Sequence, residues 1–331
     1  MSELHKFLFD GLPVRGMVVR LTDAWQAILR RRAANTETGA YPAAVRELLG
    51  EMTAAAVLMQ SNIKFNGALV FQIFGDGPVK VAVAEVQSNL ALRATASVSG
   101  TVEDGQSLAS LASLVNVHGQ GRCAITLDPQ DRQPGQQPYQ GVVPLQGADG
   151  GSLQTLAQVL QHYMHQSEQL DTTLVLAAND QVAAGLLIQR MPLKGQDNLA
   201  GATESADDGQ DAQGMNEDYR RIATLAASLQ REELLSLDVD TILRRLFWEE
   251  KLLRFVPQTG VNGPHFACTC SRERVQAMLR GLGQEEVASV VAERGNVEVG
   301  CDYCGAQYRF DPIDITQLFT DTSHSAPGSV Q

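Results

Sequence analysis

The spacing of apolar positions predicts two helices near the start of the chain. Thr22 is of a residue type that caps helices, and Trp25, Ile28 and Leu29 follow it at helical spacing. Pro42 favours the first position of a second, longer helix. The apolar stripe of that helix comprises Val45, Leu48, Leu49, Met52, Val57 and Met59.

Short apolar segments separated by turn residues predict the strands of a sheet. They are residues 14–21, 63–65, 68–74, 79–86, 92–98, 124–127, 139–144, 173–177 and 186–189. Asn66-Gly67 is typical of a hairpin turn, and Gly75-Asp76-Gly77 predicts another. Connections this short require antiparallel pairing. With a further helix expected over 153–167, residues 1–192 are predicted to form an α+β domain with a largely antiparallel sheet.

A linker with two parts is predicted over residues 193–262. Between Leu193 and Asp218 there are seven acidic residues and one base, Lys194, without helical periodicity, which predicts a disordered acidic insertion. From Tyr219 an amphipathic helical pattern begins, and Asp238 is the expected cap of a second helix. We expect its apolar face to lie on the larger domain or on a partner. That face comprises Leu225, Leu229, Ile242, Leu246, Phe247 and Leu253.

Four of the five cysteines predict a zinc site near the end of the chain. Cys268 and Cys270 form one close pair, and Cys301 and Cys304 form another thirty residues later. Two close pairs at such a separation are typical of a four-thiolate zinc site. In an extended backbone, residues two apart point to the same face, so both cysteines of the first pair can bind one ion. Spacing alone leaves open a purely structural zinc ribbon.

The residues around these cysteines predict a small module over 263–320. Ser271 is the expected cap of a helix, Gly295 the end of a second one, and a strand over 297–299 is expected to pair with a return strand. The apolar positions of the module are Val275, Met278, Leu279 and Leu282, then Val287, Val290 and Val291, then Tyr308 and Phe310. A module of this size cannot bury a self-sufficient core, so zinc is expected to hold it together. Residues 321–331 are predicted to be a disordered tail.

Composition and charge limit the classes of function that the protein can have. The chain has 331 residues, 44% of them hydrophobic, and a net charge of −12. A pI near 5.0 argues against nucleic-acid binding. No segment has the length and apolarity of a signal peptide or a membrane span, so we expect a soluble, cytoplasmic protein without a membrane partner. In that compartment thiols are kept reduced, so clustered cysteines indicate metal or redox chemistry.

The sequence evidence for any other functional site is weaker. The sequence has no glycine-rich phosphate loop, no nucleophile elbow and no zinc-protease helix motif, and no enzymatic activity is predicted. His162 and His165 are at helical spacing for a metal, although a solvated face explains them more simply. His265 is a possible substitute ligand beside the first cysteine pair. Cys123 stands alone in a strand and is expected to be a buried core residue, with a reactive thiol as the alternative.

The chain resembles the redox-regulated holdase chaperones of the heat-shock protein 33 family. The most specific match is Cys-Thr-Cys-Ser-Arg-Glu-Arg at 268–274 with Cys-Asp-Tyr-Cys-Gly at 301–305. Shorter segments match in the expected order: Gly75-Asp-Gly-Pro78, Tyr139-Gln-Gly-Val-Val143, Ser167-Glu-Gln-Leu170 and Glu232-Glu-Leu-Leu235. The resemblance covers nearly the whole chain. The acidic insertion after Lys194 is longer than the family pattern.

The resemblance implies a function and a switch. It implies an ATP-independent chaperone that binds unfolding proteins under oxidative stress. One zinc ion per reduced chain would be bound by the four clustered cysteines. Oxidation would form one disulfide between Cys301 and Cys304 and another between Cys268 and Cys270, release the zinc, unfold the module and loosen the linker. Oxidised family members also tend to form homodimers.

Two other classes of protein stay open. A zinc-ribbon adaptor in transcription or translation would share the cysteine pattern, but the acidic pI argues against it. A thiol-disulfide enzyme would need a cysteine of low pKa on a thioredoxin-like βαβ unit. The clustered cysteines are predicted outside the α+β domain, and this argues against that class.

Overall fold

The structure is a computed structural model. It describes residues 1–35, 38–100, 102, 110–131, 137–147, 150–191 and 206–320, with the backbone alone over 206–215. These residues divide into two compact units. The core unit comprises Met1–Arg30 and Ala40–Ala267, and the cysteine unit comprises Arg31–Gly39 and the chain from Cys268. The finer division into 1–192, 193–262, 263–320 and 321–331 stays a prediction.

Twelve strands of the core unit form two sheets in the part of the chain described. They are β1 Glu3–Phe9, β2 Val14–Leu21, β3 Gly67–Phe74, β4 Val79–Gln87, β5 Ala91–Val98, β6 Arg122–Pro129, β7 Tyr139–Pro144, β8 Thr172–Ala178, β9 Ala183–Arg190, β10 Leu252–Arg254, β11 Gln258–Thr259 and β12 His265–Phe266. The first sheet has the order β10-β1-β2-β9-β8, with β11 also pairing β1, and the second has the order β12-β5-β4-β3-β6-β7. Neighbouring strands are antiparallel apart from β12, which runs parallel to β5. The predicted α+β class with mainly antiparallel sheet is therefore confirmed.

Seven α-helices belong mainly to the core unit among the described residues. They are α1 Asp23–Ala33, α2 Ala43–Asn62, α3 Leu111–Val115, α4 Leu156–Ser167, α5 Ala206–Ala227, α6 Arg231–Ser236 and α7 Val239–Phe247. Helix α2 is buried along most of its length and contacts strands of both sheets. A helix that is apolar on nearly all sides needs this position. Leu49, Met52 and Val57 of α2 are fully buried in the principal core.

The first sheet is covered on both faces, which explains its nearly continuous apolar strands. In β2, Val14 and Val18 face a second core, whereas Met17 and Val19 face the principal one. The second core lies between this sheet and helices α5 to α7. Its members from the linker are Tyr219, Ile222, Ala226, Leu229, Leu234, Val239, Ile242, Leu243, Leu246 and Phe247. The amphipathic part of the linker is therefore docked on the larger α+β portion of the core unit.

One residue of the predicted linker face is not covered. Leu253 is 46% exposed, because its neighbour Leu252 points to the helices and successive side chains of a strand alternate between faces. Leu225 is half-buried against the second core. Leu229, Ile242 and Leu246 are buried as expected.

Two arginines connect the linker helices to the α+β portion. Arg20 of β2 donates hydrogen bonds to the carbonyl oxygens of Leu234, Leu235 and Leu237 at 3.1, 2.8 and 3.0 Å. These are carbonyls at the C-terminal end of α6, which lack partners within the helix. Arg231 at the start of α6 forms an ion pair with Glu47 of α2 at 3.0 Å. Both ends of α6 are therefore anchored to the α+β portion, the C-terminal end by Arg20 and the N-terminal end through the ion pair of Arg231 with Glu47.

Two local predictions were wrong, and one strand was not predicted. Residues 63–65 form no strand, because α2 runs to Asn62 and Asn66-Gly67 connects this helix to β3. Strand β1 was not predicted, although its pairing with β2 is extensive. Helix α5 begins at Ala206, so residues 206–218 are helical rather than disordered. The packed turns after Tyr219 nucleate this helix, and each residue added to a nucleated helix forms one more hydrogen bond. Residues 192–205 and the predicted tail 321–331 lie outside the described residues.

Glu51 gives the core unit a predicted pH dependence. This side chain of α2 is only 21% exposed and lies 3.8 Å from Arg231. Burial raises the pKa of Glu51 to about 7; Arg231 offsets part of this effect and Glu47 adds to it. The folded state therefore binds more protons than the unfolded state as pH rises from the ordinary glutamate range to about 7. The free energy of unfolding falls across that window.

We expect Glu51→Gln to stabilise the protein at pH 8 and to have little effect near pH 4.5. The shift from 4.5 to about 7, which already includes the attraction to Arg231, corresponds to an upper limit of about 3 kcal/mol. Urea unfolding at the two pH values measures the difference. Glu232→Gln is the control, since it makes the same charge change at an exposed position of α6. An equal effect of Glu51→Gln at both pH values would contradict the prediction.

Candidate metal centre

The first cysteine pair lies in an irregular segment that leads into a capped helix. Cys268 and Cys270 precede α8, Arg272–Leu282. The hydroxyl oxygen of Ser271 accepts a hydrogen bond from the amide of Arg274 at 3.3 Å, which confirms the predicted cap. The Arg274 guanidinium donates to the Thr269 hydroxyl at 2.7 Å and fixes the residue between the two cysteines.

The second pair lies in the loop of a β-hairpin. Strands β13, Val297–Gly300, and β14, Gln307–Phe310, are antiparallel. The amide of Gly305 donates to the Cys301 carbonyl oxygen at 2.8 Å, and the Cys301 amide donates to the Ala306 carbonyl oxygen at 2.9 Å. Gly305 has φ +74°, a left-handed conformation that favours glycine. The glycine after the second pair therefore closes the turn.

The loop and the irregular segment bring all four sulfur atoms together. They lie within 4.8 Å of one another. The Cys268 and Cys301 sulfurs are 3.7 Å apart, and the Cys270 and Cys304 sulfurs are 3.3 Å apart. Four sulfurs at about 2.3 Å from one central zinc ion would be separated by roughly 3.8 Å. The thiols are thus positioned to bind one metal ion with tetrahedral geometry, and their donor chemistry suits a thiophilic metal.

The environment of the thiols differs from one cysteine to the next. Partial burial favours the neutral form of Cys270, but hydrogen bonds from the Tyr308 hydroxyl and the other thiols outweigh it and lower its pKa to about 7. Burial raises the pKa of Cys301 and of Cys304, against hydrogen bonds from backbone amides of their own loop. Four thiolates this close would repel one another, so a bound divalent cation would be needed for them to ionise together.

A small core surrounds the cysteine loop. Besides α8 it includes α9, Gln284–Arg294, and α10, Pro312–Thr320. Its buried members are Val275, Leu279, Val287, Val297, Phe310, Ile315 and Leu318. Gly295 ends α9 in a left-handed conformation, as predicted. Met278 and Leu282 are exposed, contrary to the predicted apolar face, because only the row of Val275 and Leu279 is turned to the small core. Helix α10 was not predicted.

Tyr308 was missed as part of the site. It follows Cys304 by four residues, and its hydroxyl lies 3.1 Å from the Cys270 sulfur, to which it donates a hydrogen bond. The sequence around Tyr308 predicts a strand, but nothing in it indicates a contact with a cysteine 38 residues earlier. The contact becomes visible only when the structure brings the two cysteine motifs together.

The other candidates are not members of this cluster. Among the described residues, the four cysteines are the group able to bind a metal with three or more ligands. The Nδ1 of His265 donates to the Gly263 carbonyl oxygen at 2.9 Å, and the Nδ1 of His165 lies 3.5 Å from Asp171. Cys123 is fully buried, as predicted, and burial raises its pKa to about 12. Cys123 is therefore poorly suited to react as a thiolate.

Comparison with known proteins agrees with this architecture. The model of the family described as Hsp33 protein matches residues 2–311. A 33 kDa chaperonin of Chromobacterium violaceum is 43% identical over 318 residues, which cover 96% of this chain and 94% of the relative. One of Methylobacillus flagellatus is 41% identical over 329 residues, or 99% and 97% of the two chains. The crystal structure of a 33 kDa chaperonin from Thermotoga maritima has a TM-score of 0.70 at 19% identity, covers 98% of this chain and 99% of its own, and shows the fold.

The fold and the four-cysteine site define an α+β protein with a thiol cluster able to bind a metal. Within the described part of the chain, no helix is long and apolar enough to span a membrane. The chain belongs to the Hsp33 family. The resemblance carried by the two cysteine motifs is confirmed.

Proposed function

We propose that this protein is a redox-regulated, ATP-independent holdase that binds unfolding proteins in the cytoplasm under oxidative stress. The observation that supports it most directly is the cluster of four cysteine sulfurs within 4.8 Å in a unit with a small core. Such a unit gains much of its stability from the metal. Oxidation of the thiols is then a direct means of removing that stability.

The metal we propose is zinc, at one ion per reduced chain. Tetrahedral sites of four thiolates are typical of zinc, whose charge and size suit sulfur ligands. Cys268, Cys270, Cys301 and Cys304 would all be ligands. When bound, zinc supplies the charge that keeps the four thiolates ionised and holds the hairpin loop against the segment before α8.

The proposed activation is oxidation to two disulfides, Cys301–Cys304 and Cys268–Cys270. Formation of each disulfide transfers two electrons from its two thiolates to the oxidant; hydrogen peroxide would be reduced to two molecules of water, or an organic peroxide to an alcohol and water. A disulfide across a single intervening residue is geometrically tight, and strained disulfides are the more readily reduced ones. The Cys-x-Cys pair therefore suits a reversible switch. We propose a homodimer in the oxidised state.

Release of the linker is the proposed output of the switch. The buried faces of α5 to α7 and the sheet surface beneath them form one continuous apolar core. We propose that unfolding of the cysteine unit loosens these helices and uncovers that surface for unfolded clients. Leu225, Leu229, Ile242, Leu246 and Phe247 are the proposed client-binding residues on the linker. Leu253, already exposed, is proposed as an additional contact at its edge.

The test is to measure zinc content and suppression of client aggregation on one sample before and after peroxide. The reduced protein should contain one zinc per chain and be inactive; the oxidised protein should have lost zinc and be active without ATP. Cys123→Ser should match the wild type in both measurements, because this thiol is buried far from oxidant access. A reduced, metal-replete protein without stoichiometric zinc would contradict the proposal. So would chaperone activity that is independent of oxidation.

A further inference from the structure

We infer that the Tyr308 hydroxyl is a positioning group for Cys270, holding its sulfur in the metal site and lowering its reactivity toward electrophiles. The inference rests on the proposed zinc site and adds a residue to it. The phenol oxygen lies 3.1 Å from the Cys270 sulfur and donates to it. A metal-bound thiolate accepts such a bond, because it keeps most of its negative charge on sulfur.

The tyrosine ring is well fixed by the strand that carries it. Tyr308 and Phe310 share one face of β14, since they are two residues apart. Phe310 is fully buried in the small core, and Tyr308 packs partly against the same core. On the paired strand, Val299 is the partner of Tyr308. The hydroxyl is thus presented to the sulfur by packing and strand pairing.

The hairpin loop provides comparable hydrogen bonds to the second cysteine pair. Cys301 and Cys304 receive hydrogen bonds from amides of the loop that contains them. Cys270 lies in an irregular segment beyond that loop, and the phenol of a neighbouring strand donates to it instead. Hydrogen-bond donors to metal ligands orient them, and their removal typically weakens metal binding about 10- to 100-fold.

The proposal is tested with Tyr308→Phe, which removes the hydroxyl and keeps the packed ring. We expect zinc to be lost to a competing chelator at least about tenfold faster than from wild type. In the zinc-loaded protein, iodoacetamide should modify Cys270 faster relative to Cys301, as measured by site-resolved mass spectrometry. In cobalt-substituted protein, the sulfur-to-metal charge-transfer band should move to longer wavelength, because a thiolate without this hydrogen bond is a stronger donor.

Tyr219→Phe is the matched control. It removes a tyrosine hydroxyl that lies 3.3 Å from Thr173 in the core unit, and it should leave all three measurements unchanged. Wild-type zinc loss, alkylation ratio and cobalt spectrum in Tyr308→Phe would overturn the inference and leave the zinc site intact. Absence of stoichiometric zinc from the wild type would instead overturn the proposed function. Faster zinc loss without a change in alkylation ratio or spectrum would indicate an effect that does not act through the Cys270 sulfur, and it would also overturn the inference.

Discussion

Removing the metal from the reduced protein should unfold the cysteine unit and leave the sheets of the core unit folded. The buried core of the cysteine unit consists of seven apolar side chains among the described residues. Structural zinc contributes about 10–16 kcal/mol of coupled folding free energy, comparable to the stability of an ordinary domain. Hydrogen exchange measured before and after chelation should therefore lose protection in α8, α9 and β13–β14. Strands β2, β3 and β9 should stay protected.

Single ligand substitutions provide the same test without a chelator. Cys301→Ser should abolish stoichiometric zinc and the protection of the cysteine unit, because a neutral hydroxyl is a poor substitute for a thiolate. Cys123→Ser changes the same atom in the core unit and should leave the zinc content unchanged. Full protection of α8 and α9 in the metal-free protein would show that the small core is sufficient alone.

Phe247→Asp should release the linker while zinc stays bound, and should give partial chaperone activity in the reduced protein. Phe247 is 2% exposed, and its ring packs edge-to-face on Phe9 with centroids 5.1 Å apart. Loss of such a side chain costs about 3–5 kcal/mol, and a carboxylate buried there without a cation adds to the cost. The measurements are suppression of aggregation, zinc content and protease sensitivity of residues 219–247.

The adjacent Trp248→Asp is the matched control, because Trp248 is 74% exposed. It also replaces an aromatic side chain by aspartate, one residue away, and should leave the linker docked and the reduced protein inactive. If Phe247→Asp releases the linker but does not suppress aggregation, linker release is not the controlling step. The same conclusion follows if the variant stays docked and inactive until it is oxidised.

The four-cysteine cluster was the part of the protein most accessible from sequence. Cysteine spacing reports metal geometry directly, since the two motifs must each place both sulfurs on one ion. Local signals were also reliable where one residue decides the conformation, as with Ser271 at the start of α8 and Gly295 at the end of α9. The contact of Tyr308 with Cys270 depends on a separation of 38 residues and has no local signal.

The arrangement of strands was less accessible, because it is decided by long-range pairing. Sequence patterns predicted a sheet but not its division into two, nor the pairing of β1 with β10 and β11 from the linker. Asn66-Gly67 has the composition of a hairpin turn, yet the burial of α2 extends the helix to Asn62 and leaves the pair as a connection. Arg20 gave no signal either, since its partners are backbone carbonyls more than 200 residues away.

The binding of Arg20 to α6 determines how this part of the linker would behave once it leaves the sheet. Helix α6 has six residues, shorter than the length at which an isolated helix persists in water. Carbonyl oxygens at its C-terminal end are satisfied by a guanidinium on β2, and Arg231 at its other end is held by Glu47 on α2. The helical conformation of α6 thus depends partly on the surface on which the helix lies. Once detached, this segment would behave as an unstructured chain, able to conform to partners of many shapes.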